Sequence, residues 1–176
     1  NGATIKNESM TENILSIFKE IKMVVMDVDG VLTNGQLLVT DDGHQLRSFN
    51  IKDGYAMQLA VKKGLLLAVI SGAHNDGVVK RLQHLGLNEI HTAIPNKVAQ
   101  LEKLMLQHNV NANQTAFIGD DMPDVEAMKL VLLPVTPADA VNEAKQVARY
   151  ISLMKGGEGC VRDVLEKILK LQGLWE

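Results

Sequence analysis

Short, unbroken apolar runs alternate along the chain with segments whose apolar residues recur at helical spacing. Apolar runs of this length that end at Gly or polar residues are typical of strands buried on both faces of a parallel sheet. The pattern predicts strands at residues 23–26, 65–70, 89–93, 115–118, 130–135 and 150–154. It predicts helices at residues 14–21, 53–63, 75–85, 95–108, 125–129, 138–148 and 161–172. Strands that alternate with helices in this way indicate an α/β domain in which helices cover both faces of a parallel sheet.

A β-hairpin is predicted after the first strand, in place of a simple connection to a helix. Residues 36–40 and 44–49 have extended patterns, and the Asp41-Asp42-Gly43 triplet between them is a strong turn signal. This hairpin is too small to be a lid domain, so we expect it to cover the neighbouring site or to pair with another subunit. The segment Asn50-Ile51-Lys52-Asp53-Gly54 is predicted to be a polar loop, with Asp53 as the N-cap of the next helix.

The composition limits the class of protein. The chain has 176 residues, 46% hydrophobic content and a net charge of −3, which predicts one globular domain with a sizeable core. We assign residues 14–176 to that domain and residues 1–13 to a disordered N-terminal extension. Lys and Arg number 18 against 21 Asp and Glu, so a nucleic-acid partner is not expected.

The environment of the protein is predicted from two further features. No apolar stretch approaches the ~20 residues that are needed to span a bilayer, so a membrane partner is not expected. Cys160 is the single cysteine, and no signal peptide is recognisable at the N-terminus. Together these observations favour the reducing cytoplasm.

Two carboxylates, Asp27 and Asp29, follow the first predicted strand and are separated by one residue. Bringing like charges together is unfavourable unless a cation or a shared proton compensates. One explanation is that Asp-Val-Asp-Gly is simply a polar strand end that leads into a turn. The other is that Mg²⁺ lies between the acids, one of which attacks phosphorus while the other transfers a proton. The motif alone leaves both explanations open.

The ends of three predicted strands carry polar groups that are individually weak signals. Ser71-Gly72 on its own is most often a turn, and Lys97 near a helix start is most often a solvated charge. Gly119-Asp120-Asp121 on its own is also compatible with a turn or a helix N-cap. Parallel strands, however, place their carboxyl ends at one edge of the sheet, so these groups should converge. Converged carboxylates, a hydroxyl and a fixed cation form a phosphoryl-transfer site that binds Mg²⁺. A P-loop motif is absent.

The order of these motifs resembles the haloacid dehalogenase (HAD) superfamily over nearly the whole chain. The motifs are Asp27-x-Asp29-Gly30, Ser71-Gly72, Lys97 and Gly119-Asp120-Asp121-x-x-Asp124. Phe49 to Gly54 and Gly156-Gly157-Glu158-Gly159 further resemble the capless branch that includes 3-deoxy-manno-octulosonate (KDO) 8-phosphate phosphatase. The resemblance implies a three-layer α/β/α Rossmann-type fold without a cap domain and an Mg²⁺-dependent sugar-acid phosphatase. It also implies a homotetramer in which the hairpin contributes to a neighbouring site.

The resemblance assigns roles to the matching residues. Asp27 corresponds to the nucleophile, and Asp29 to the acid that protonates the leaving group and then activates water. Ser71 and Lys97 correspond to the groups that bind the transferred phosphoryl oxygens. The implied metal ligands are Asp27, the backbone carbonyl of Asp29, and Asp120, with Asp124 supporting Lys97 or a metal-bound water. The implied substrate contacts are Asp29, Asn50, Ile51, Lys52, Asp53, Gly54, Gly72, Arg81, Lys97 and Glu158.

Two positions depart from the octulosonate phosphatase pattern. Ala73 and Glu158 stand where those enzymes commonly have Arg. The Gly-Gly-Glu-Gly motif is similar to that of nonulosonate (KDN or N-acylneuraminate) 9-phosphate phosphatases of the same branch, which are the alternative. Glu158 would either pair with Lys155 or Arg162, or accept hydrogen bonds from the sugar. A non-catalytic assembly domain of the same fold is a further alternative, which the retention of Asp27 and the other implied catalytic groups disfavours.

Overall fold

The structure is a computed structural model that describes residues 14–176. The predicted disordered extension, residues 1–13, lies outside the described residues, so the predicted domain boundary stays a prediction. Residues 14–20 form helix α1. The strands are β1 (Met23–Met26), β2 (Leu38–Val39), β3 (Gln45–Leu46), β4 (Leu66–Ile70), β5 (Glu89–His91), β6 (Thr115–Ile118), β7 (Leu133–Thr136) and β8 (Tyr150–Ile151). The other helices are α2 (Ile51–Lys62), α3 (Asp76–His84), α4 (Lys97–Gln107), α5 (Met122–Leu130), α6 (Asn142–Val147) and α7 (Cys160–Leu171), with a 3₁₀ turn at Ala112–Gln114.

The central feature is a six-stranded sheet in the order β5-β4-β1-β6-β7-β8, in which every neighbouring pair is parallel. Strand β1 occupies the middle of this sheet, between β4 and β6. Its side chains alternate between two cores, as the period of a strand requires. Val24 and Met26 pack with residues of α2, α3 and α7, whereas Met23 and Val25 pack with residues of α4, α5 and α6. The predicted α/β class with two helical layers is therefore confirmed.

The predicted hairpin is formed by β2 and β3, which make a separate antiparallel pair. Gly43 in its turn has φ +87°, a conformation that glycine adopts without strain. Its strands are shorter than predicted, because each contributes only two residues to the ladder. Within residues 14–176 this hairpin forms the only sheet besides the central one. The same residues contain no cap domain. In the same part of the chain, no helix has the length and apolar character needed to cross a membrane.

The start of α2 differs from the prediction. The helix begins at Ile51, and its N-cap is Asn50, whose side chain accepts hydrogen bonds from the backbone N–H groups of Lys52 and Asp53. The prediction of a loop at residues 50–54 with Asp53 as N-cap was wrong, because Asn50 satisfies the free N–H groups first. Asp53 is instead buried in the first turn, where Oδ1 accepts a hydrogen bond of 2.7 Å from the backbone N–H of Arg162.

Three other helix boundaries also differ. Helix α4 has Asn96 as its N-cap, so Pro95 precedes the helix and does not open it. Helix α5 begins earlier than predicted, because Asp121 and Asp124 form a capping box at its N-terminus. Helix α6 is shorter than predicted, because the backbone N–H of Ala138 bonds to Met154 O in a turn and not to a helical carbonyl.

Candidate active site

Strands β1 and β6 bring two of the predicted acids, Asp27 and Asp120, close together. Asp27 directly follows β1, and its backbone N–H donates to Ile118 O, the last carbonyl of β6, at 3.0 Å. Asp120 lies two positions beyond that residue. Carboxylate oxygens of Asp27, Asp120 and Asp124 lie within 4.8 Å of one another. The convergence predicted from the strand ends is therefore present in the fold.

Lys97 lies at the centre of this acidic group. As the first residue of α4, it places its ammonium 3.0 Å from Oδ1 of Asp27 and 2.6 Å from Oδ1 of Asp124. The other oxygen of Asp124 accepts hydrogen bonds from the backbone N–H groups of Asp120 and Asp121, at 3.0 and 3.3 Å. Both oxygens of Asp124 are thus occupied by protein donors. Asp124 fixes Lys97 and the turn after β6, which leaves it less free than Asp27 or Asp120 to bind a metal.

The electrostatics of the cluster favour a bound cation. Burial, reinforced by the charge of Asp124, raises the pKa of Asp27 to about 6 and that of Asp120 to about 7. Burial alone would lower the pKa of Lys97, but the charges of Asp27 and Asp124 outweigh it and raise that pKa. When ionised, the three carboxylates exceed the one ammonium by two negative charges. Oδ1 of Asp120 is buried and has no hydrogen-bond partner among residues 14–176. A divalent cation fits both the charge and the unpartnered oxygen.

The loop after Asp29 depends on glycines at close contacts. Gly30 has φ +85°, and a Cβ at this position would lie 1.9 Å from Oδ2 of Asp120. On the other side, a Cβ on Gly156 would lie 1.8 Å from Gly30 O, and Gly157 N donates to Val31 O at 3.0 Å. The glycine-rich segment at residues 156–159 therefore packs directly against the backbone that carries Asp29.

Glu158 lies in this glycine-rich segment but is exposed. Neither Lys155 nor Arg162 forms an ion pair with Glu158. Arg162 pairs instead with Glu166, with its Nε 2.5 Å from Oε2. The side chain of Glu158 has no partner within the described part of the chain. Of the two alternatives for Glu158, pairing with a neighbouring base is not observed.

Ser71 and Gly72 follow β4, as predicted. Ser71 is buried, and its backbone N–H donates to His91 O at 2.8 Å. Its hydroxyl makes no hydrogen bond within residues 14–176, and the side chain lines a small cavity together with Asp29. The hydroxyl is therefore free to bind a ligand oxygen at the edge of the Asp27 cluster.

Asp29 has a partner that the sequence did not indicate. Nε of Arg47 lies 2.7 Å from Oδ1 of Asp29, and Nη2 lies 3.2 Å from Oδ2. The Arg47 side chain is 4% exposed, whereas Asp29 is 36% exposed. Arg47 follows β3 of the hairpin, and nothing in its local sequence distinguishes it from a solvated strand residue. Only the fold-back of the hairpin over β1 could reveal this contact.

Of the predicted substrate residues, Arg81 lines a cavity, whereas residues 50–53 lie at the start of α2. Arg81 on α3 lies beside Gly54, since a Cβ on Gly54 would be 2.6 Å from Arg81 Nη2, and Arg81 lines a cavity of about 600 Å³. Asn50 is engaged as a helix cap, and Asp53 is bonded to α7. Ile51 and Lys52, between these two residues, are exposed on the first turn of α2. The side chains of residues 50–53 make no described contact with Asp27 or Lys97.

Comparison with known proteins gives consistent matches. A haloacid dehalogenase-like hydrolase family matches residues 83–163. The 3-deoxy-D-manno-octulosonate 8-phosphate phosphatase KdsC of Escherichia coli (strain K12) is 30% identical over 164 residues, which are 93% of this chain and 87% of the relative.

Solved structures agree with these sequence matches. The 3-deoxy-D-manno-octulosonate 8-phosphate phosphatase of Moraxella catarrhalis, in complex with magnesium, phosphate and KDO, superposes with a TM-score of 0.89 at 32% identity, covering 92% of each chain. The cobalt-bound octulosonate 8-phosphate phosphatase of Haemophilus influenzae superposes with a TM-score of 0.85 at 33% identity, covering 89% of this chain and 92% of that one.

The sequence motifs, the fold and the similarity over most of each chain lead to one assignment. The chain belongs to the haloacid dehalogenase-like hydrolases, in the family of the 3-deoxy-D-manno-octulosonate 8-phosphate phosphatases, and is a phosphomonoester hydrolase.

Proposed function

We propose that this chain is an Mg²⁺-dependent phosphatase that hydrolyses KDO 8-phosphate, a 2-keto-3-deoxy sugar acid phosphate, to KDO and phosphate. The observation that carries this proposal is the buried cluster in which Lys97 bridges Asp27 and Asp124 beside Asp120. The named activity of the E. coli relative and the ligands of the M. catarrhalis structure support the choice of sugar.

The residues that would hold Mg²⁺ are Asp27, the backbone carbonyl of Asp29, and Asp120. The unpartnered Oδ1 of Asp120 and the excess of negative charge support this assignment. Asp124, with both oxygens occupied, would support Lys97 or a metal-bound water. A bound Mg²⁺ would offset the charge of the carboxylates and of the phosphate oxygens, which lets an anionic substrate approach an anionic nucleophile.

In the first step, an oxygen of the Asp27 carboxylate attacks phosphorus and the bond between phosphorus and the sugar oxygen breaks. Asp29 gives a proton to that sugar oxygen, which leaves as a hydroxyl group. The product on the enzyme is an aspartyl-phosphate at Asp27. The Lys97 ammonium and the Ser71 hydroxyl bind the phosphoryl oxygens and favour the in-line geometry.

In the second step, water attacks the phosphorus of the aspartyl-phosphate and passes a proton to Asp29. The bond between phosphorus and Asp27 breaks, so phosphate leaves and both carboxyl groups return to their starting states. Asp29 acts as acid and then as base, so one of its oxygens must be able to carry a proton. Both oxygens accept hydrogen bonds from Arg47, so we expect at least one of these contacts to be exchanged during turnover.

The sugar would occupy the cavity of about 600 Å³ between the hairpin and α3. Arg81 lies at its wall and is next to Gly54, and Gly72 follows the phosphate-binding Ser71. The other substrate contacts implied by family resemblance, Asn50 to Asp53 and Glu158, stay predictions. Their exposed members would meet the sugar only if it extends beyond this cavity.

A nonulosonate 9-phosphate is a second candidate substrate, and one observation favours it. Glu158 is exposed and has no partner among residues 14–176, so it is available to accept hydrogen bonds from sugar hydroxyls or an acylamino group. If Glu158 selects the longer sugar, Glu158→Arg should shift the kcat/KM ratio towards KDO 8-phosphate by roughly 10- to 100-fold, the value of a charged hydrogen bond. An unchanged ratio would exclude Glu158 as a specificity residue.

We also propose a homotetramer in which the hairpin contacts another subunit and contributes to a neighbouring site. The hairpin exposes four apolar side chains, Leu37, Leu38, Val39 and Leu46, at 44 to 67% of their surface. Exposed apolar strands of this kind are an aggregation hazard unless another chain covers them. Light scattering should give the mass of four chains, and Leu38→Glu should lower it; a fully active monomer would contradict the proposal. Residence in the cytoplasm stays a prediction.

The proposed function is tested by measuring phosphate release from a panel of sugar-acid phosphates and from neutral sugar phosphates. We expect KDO 8-phosphate to give the highest kcat/KM, with the nonulosonate 9-phosphate as the competitor. Activity should vanish after chelation and return with Mg²⁺. Ca²⁺ should inhibit, because its larger coordination number lets Asp27 bind it through both oxygens. Full activity after exhaustive chelation, or no preference for sugar acids, would contradict the proposal.

A further inference from the structure

Arg47 is buried although the hairpin that carries it is mostly exposed. Its side chain is 4% exposed, whereas the preceding residue, Leu46, has 51% of its surface exposed. Two hydrogen bonds join its guanidinium to the two oxygens of Asp29. A guanidinium held through two parallel bonds is fixed in both position and plane. The hairpin thus supplies a fixed positive group beside Asp29, which follows the proposed nucleophile Asp27 by two residues.

Arg47 lines three cavities, and two of them also share Asn75 in their walls. The smaller of these two is a narrow gap bordered by Asp29, Ser71 and Ala73, next to the strand ends that carry the proposed phosphate-binding groups. The larger, of about 600 Å³, lies between the hairpin and α3. Asn75 lines both cavities as well, and its side chain joins their walls by capping α3 and donating to Gln45 O at 3.2 Å. The guanidinium of Arg47 is therefore at the boundary between the reacting phosphate and the space available for the sugar.

The larger cavity contains a second guanidinium, that of Arg81, which has no ion-pair partner within the described part of the chain. The acidic side chain that lines the same cavity, Asp76, contacts His74 at 3.0 Å. Two arginines thus border one cavity, and Asp29 is the carboxylate that pairs with one of them. Such a cavity fits a ligand with a second anionic group besides its phosphate, and planar carboxylates match the guanidinium fork best.

The geometry points to Arg47 as the residue that selects the carboxylate of the sugar acid. In the free enzyme Arg47 is bound to Asp29, and when substrate enters it exchanges this carboxylate for that of the substrate. The exchange replaces one charged pair of hydrogen bonds by another, so Arg47 is never left buried without an anion. It also frees the Asp29 carboxylate, which can then take up a proton from solvent and give it to the leaving oxygen. This inference rests on the proposed function, because it requires a substrate that carries a carboxylate.

The test compares two phosphate monoesters with Mg²⁺ present: KDO 8-phosphate, which has a carboxylate, and p-nitrophenyl phosphate, which has none. For Arg47→Met we expect kcat/KM to fall roughly 10- to 100-fold further for the sugar acid than for p-nitrophenyl phosphate, mainly through KM. Arg47→Lys, which keeps the charge and loses the fork, should give an intermediate shift in the same direction. Arg149→Met is the matched control, because this exposed arginine precedes β8 at the edge of the sheet. It should keep the wild-type ratio.

Equal proportional losses for the two substrates in both Arg47 variants would overturn the inference, since Arg47 would then only orient Asp29. If Arg47→Met does not fold by circular dichroism, Arg47→Lys decides the question through the same ratio. Failure of the proposed function is recognised separately, in the wild-type enzyme. A wild type that hydrolyses p-nitrophenyl phosphate with no preference for the sugar acid would contradict the function itself, whatever the Arg47 variants do.

Discussion

The ammonium of Lys97 lies 2.6 Å from Oδ1 of Asp124, a side chain with no exposed surface. Lys97 is the first residue of α4, and Asp124 belongs to the first turn of α5. The pair therefore ties the beginnings of two neighbouring helices together. The same ammonium lies 3.0 Å from Asp27, so the contact that joins the helices also fixes the position of Lys97 relative to the proposed nucleophile.

Removing the ammonium should destabilise the fold as well as the site. In Lys97→Met, Asp124 stays buried without its cation, which we expect to lower the free energy of unfolding by about 3–5 kcal/mol. Urea denaturation measures this change. The matched control is Lys129→Met on α5, whose exposed ion pair with Glu126 at 2.7 Å should contribute less than about 1 kcal/mol. Similar losses in the two variants would show that the Lys97 pair is not a structural contact.

Replacing Asp27, the proposed nucleophile, should remove activity and leave the fold intact. Asp27→Asn keeps the shape of the side chain and loses its nucleophilic charge, so kcat should fall roughly a thousandfold or more. The measurement is phosphate release, with the circular dichroism spectrum and the oligomer mass as controls for folding. Asp41→Asn in the exposed hairpin turn should retain activity. Near-normal turnover by Asp27→Asn would exclude an aspartyl-phosphate at this residue.

The close contact at Gly30 predicts a specific effect on metal binding. Gly30→Ala and Gly43→Ala both place Ala at positive φ, which costs about 1–2 kcal/mol in each case. A Cβ at Gly30 also meets Oδ2 of Asp120 at 1.9 Å, whereas one at Gly43 meets nothing within 4 Å. We expect Gly30→Ala to weaken apparent Mg²⁺ affinity by roughly tenfold or more, as displaced metal-site groups do. Gly43→Ala should leave the affinity unchanged, and equal effects would contradict the assignment of Asp120.

The buried carboxyl of Asp53 predicts how stability depends on pH. Burial raises its pKa from 3.8 to about 6, so the folded state binds this proton more tightly than the unfolded state. The resulting stabilisation is complete below pH 3.8 and is lost as the pH rises through 6. Asp53→Asn does not titrate, so its stability relative to wild type should increase between pH 4 and pH 7 by up to about 3 kcal/mol. Urea denaturation in Mg²⁺-free buffer tests this, and exposed Asp41→Asn should show no such trend.

Each strand of the sheet was located from the sequence, although β7 begins at Leu133 and not at residue 130, and β8 ends at Ile151 and not at residue 154. A buried strand such as β1 leaves an unbroken apolar run, and its end at Asp27 is visible because charged residues are rarely buried without a partner. Helix starts depend on which polar side chain reaches the free N–H groups. At α2 both Asn50 and Asp53 could cap, and only the packing of Asp53 against Arg162 N assigned the cap to Asn50.

The sequence by itself determined the parallel sheet and the edge at which Asp27, Ser71, Lys97 and Asp120 lie. It could do so because the hydrophobic period of each segment is a local property, and because strands that alternate with helices run parallel and end at one edge. The tertiary structure alone decided that Arg47 contacts Asp29, that both oxygens of Asp124 are occupied and that Glu158 has no partner in the described chain. These facts depend on distances between segments far apart in sequence, and no short-range pattern encodes the fold-back of a hairpin onto a strand end.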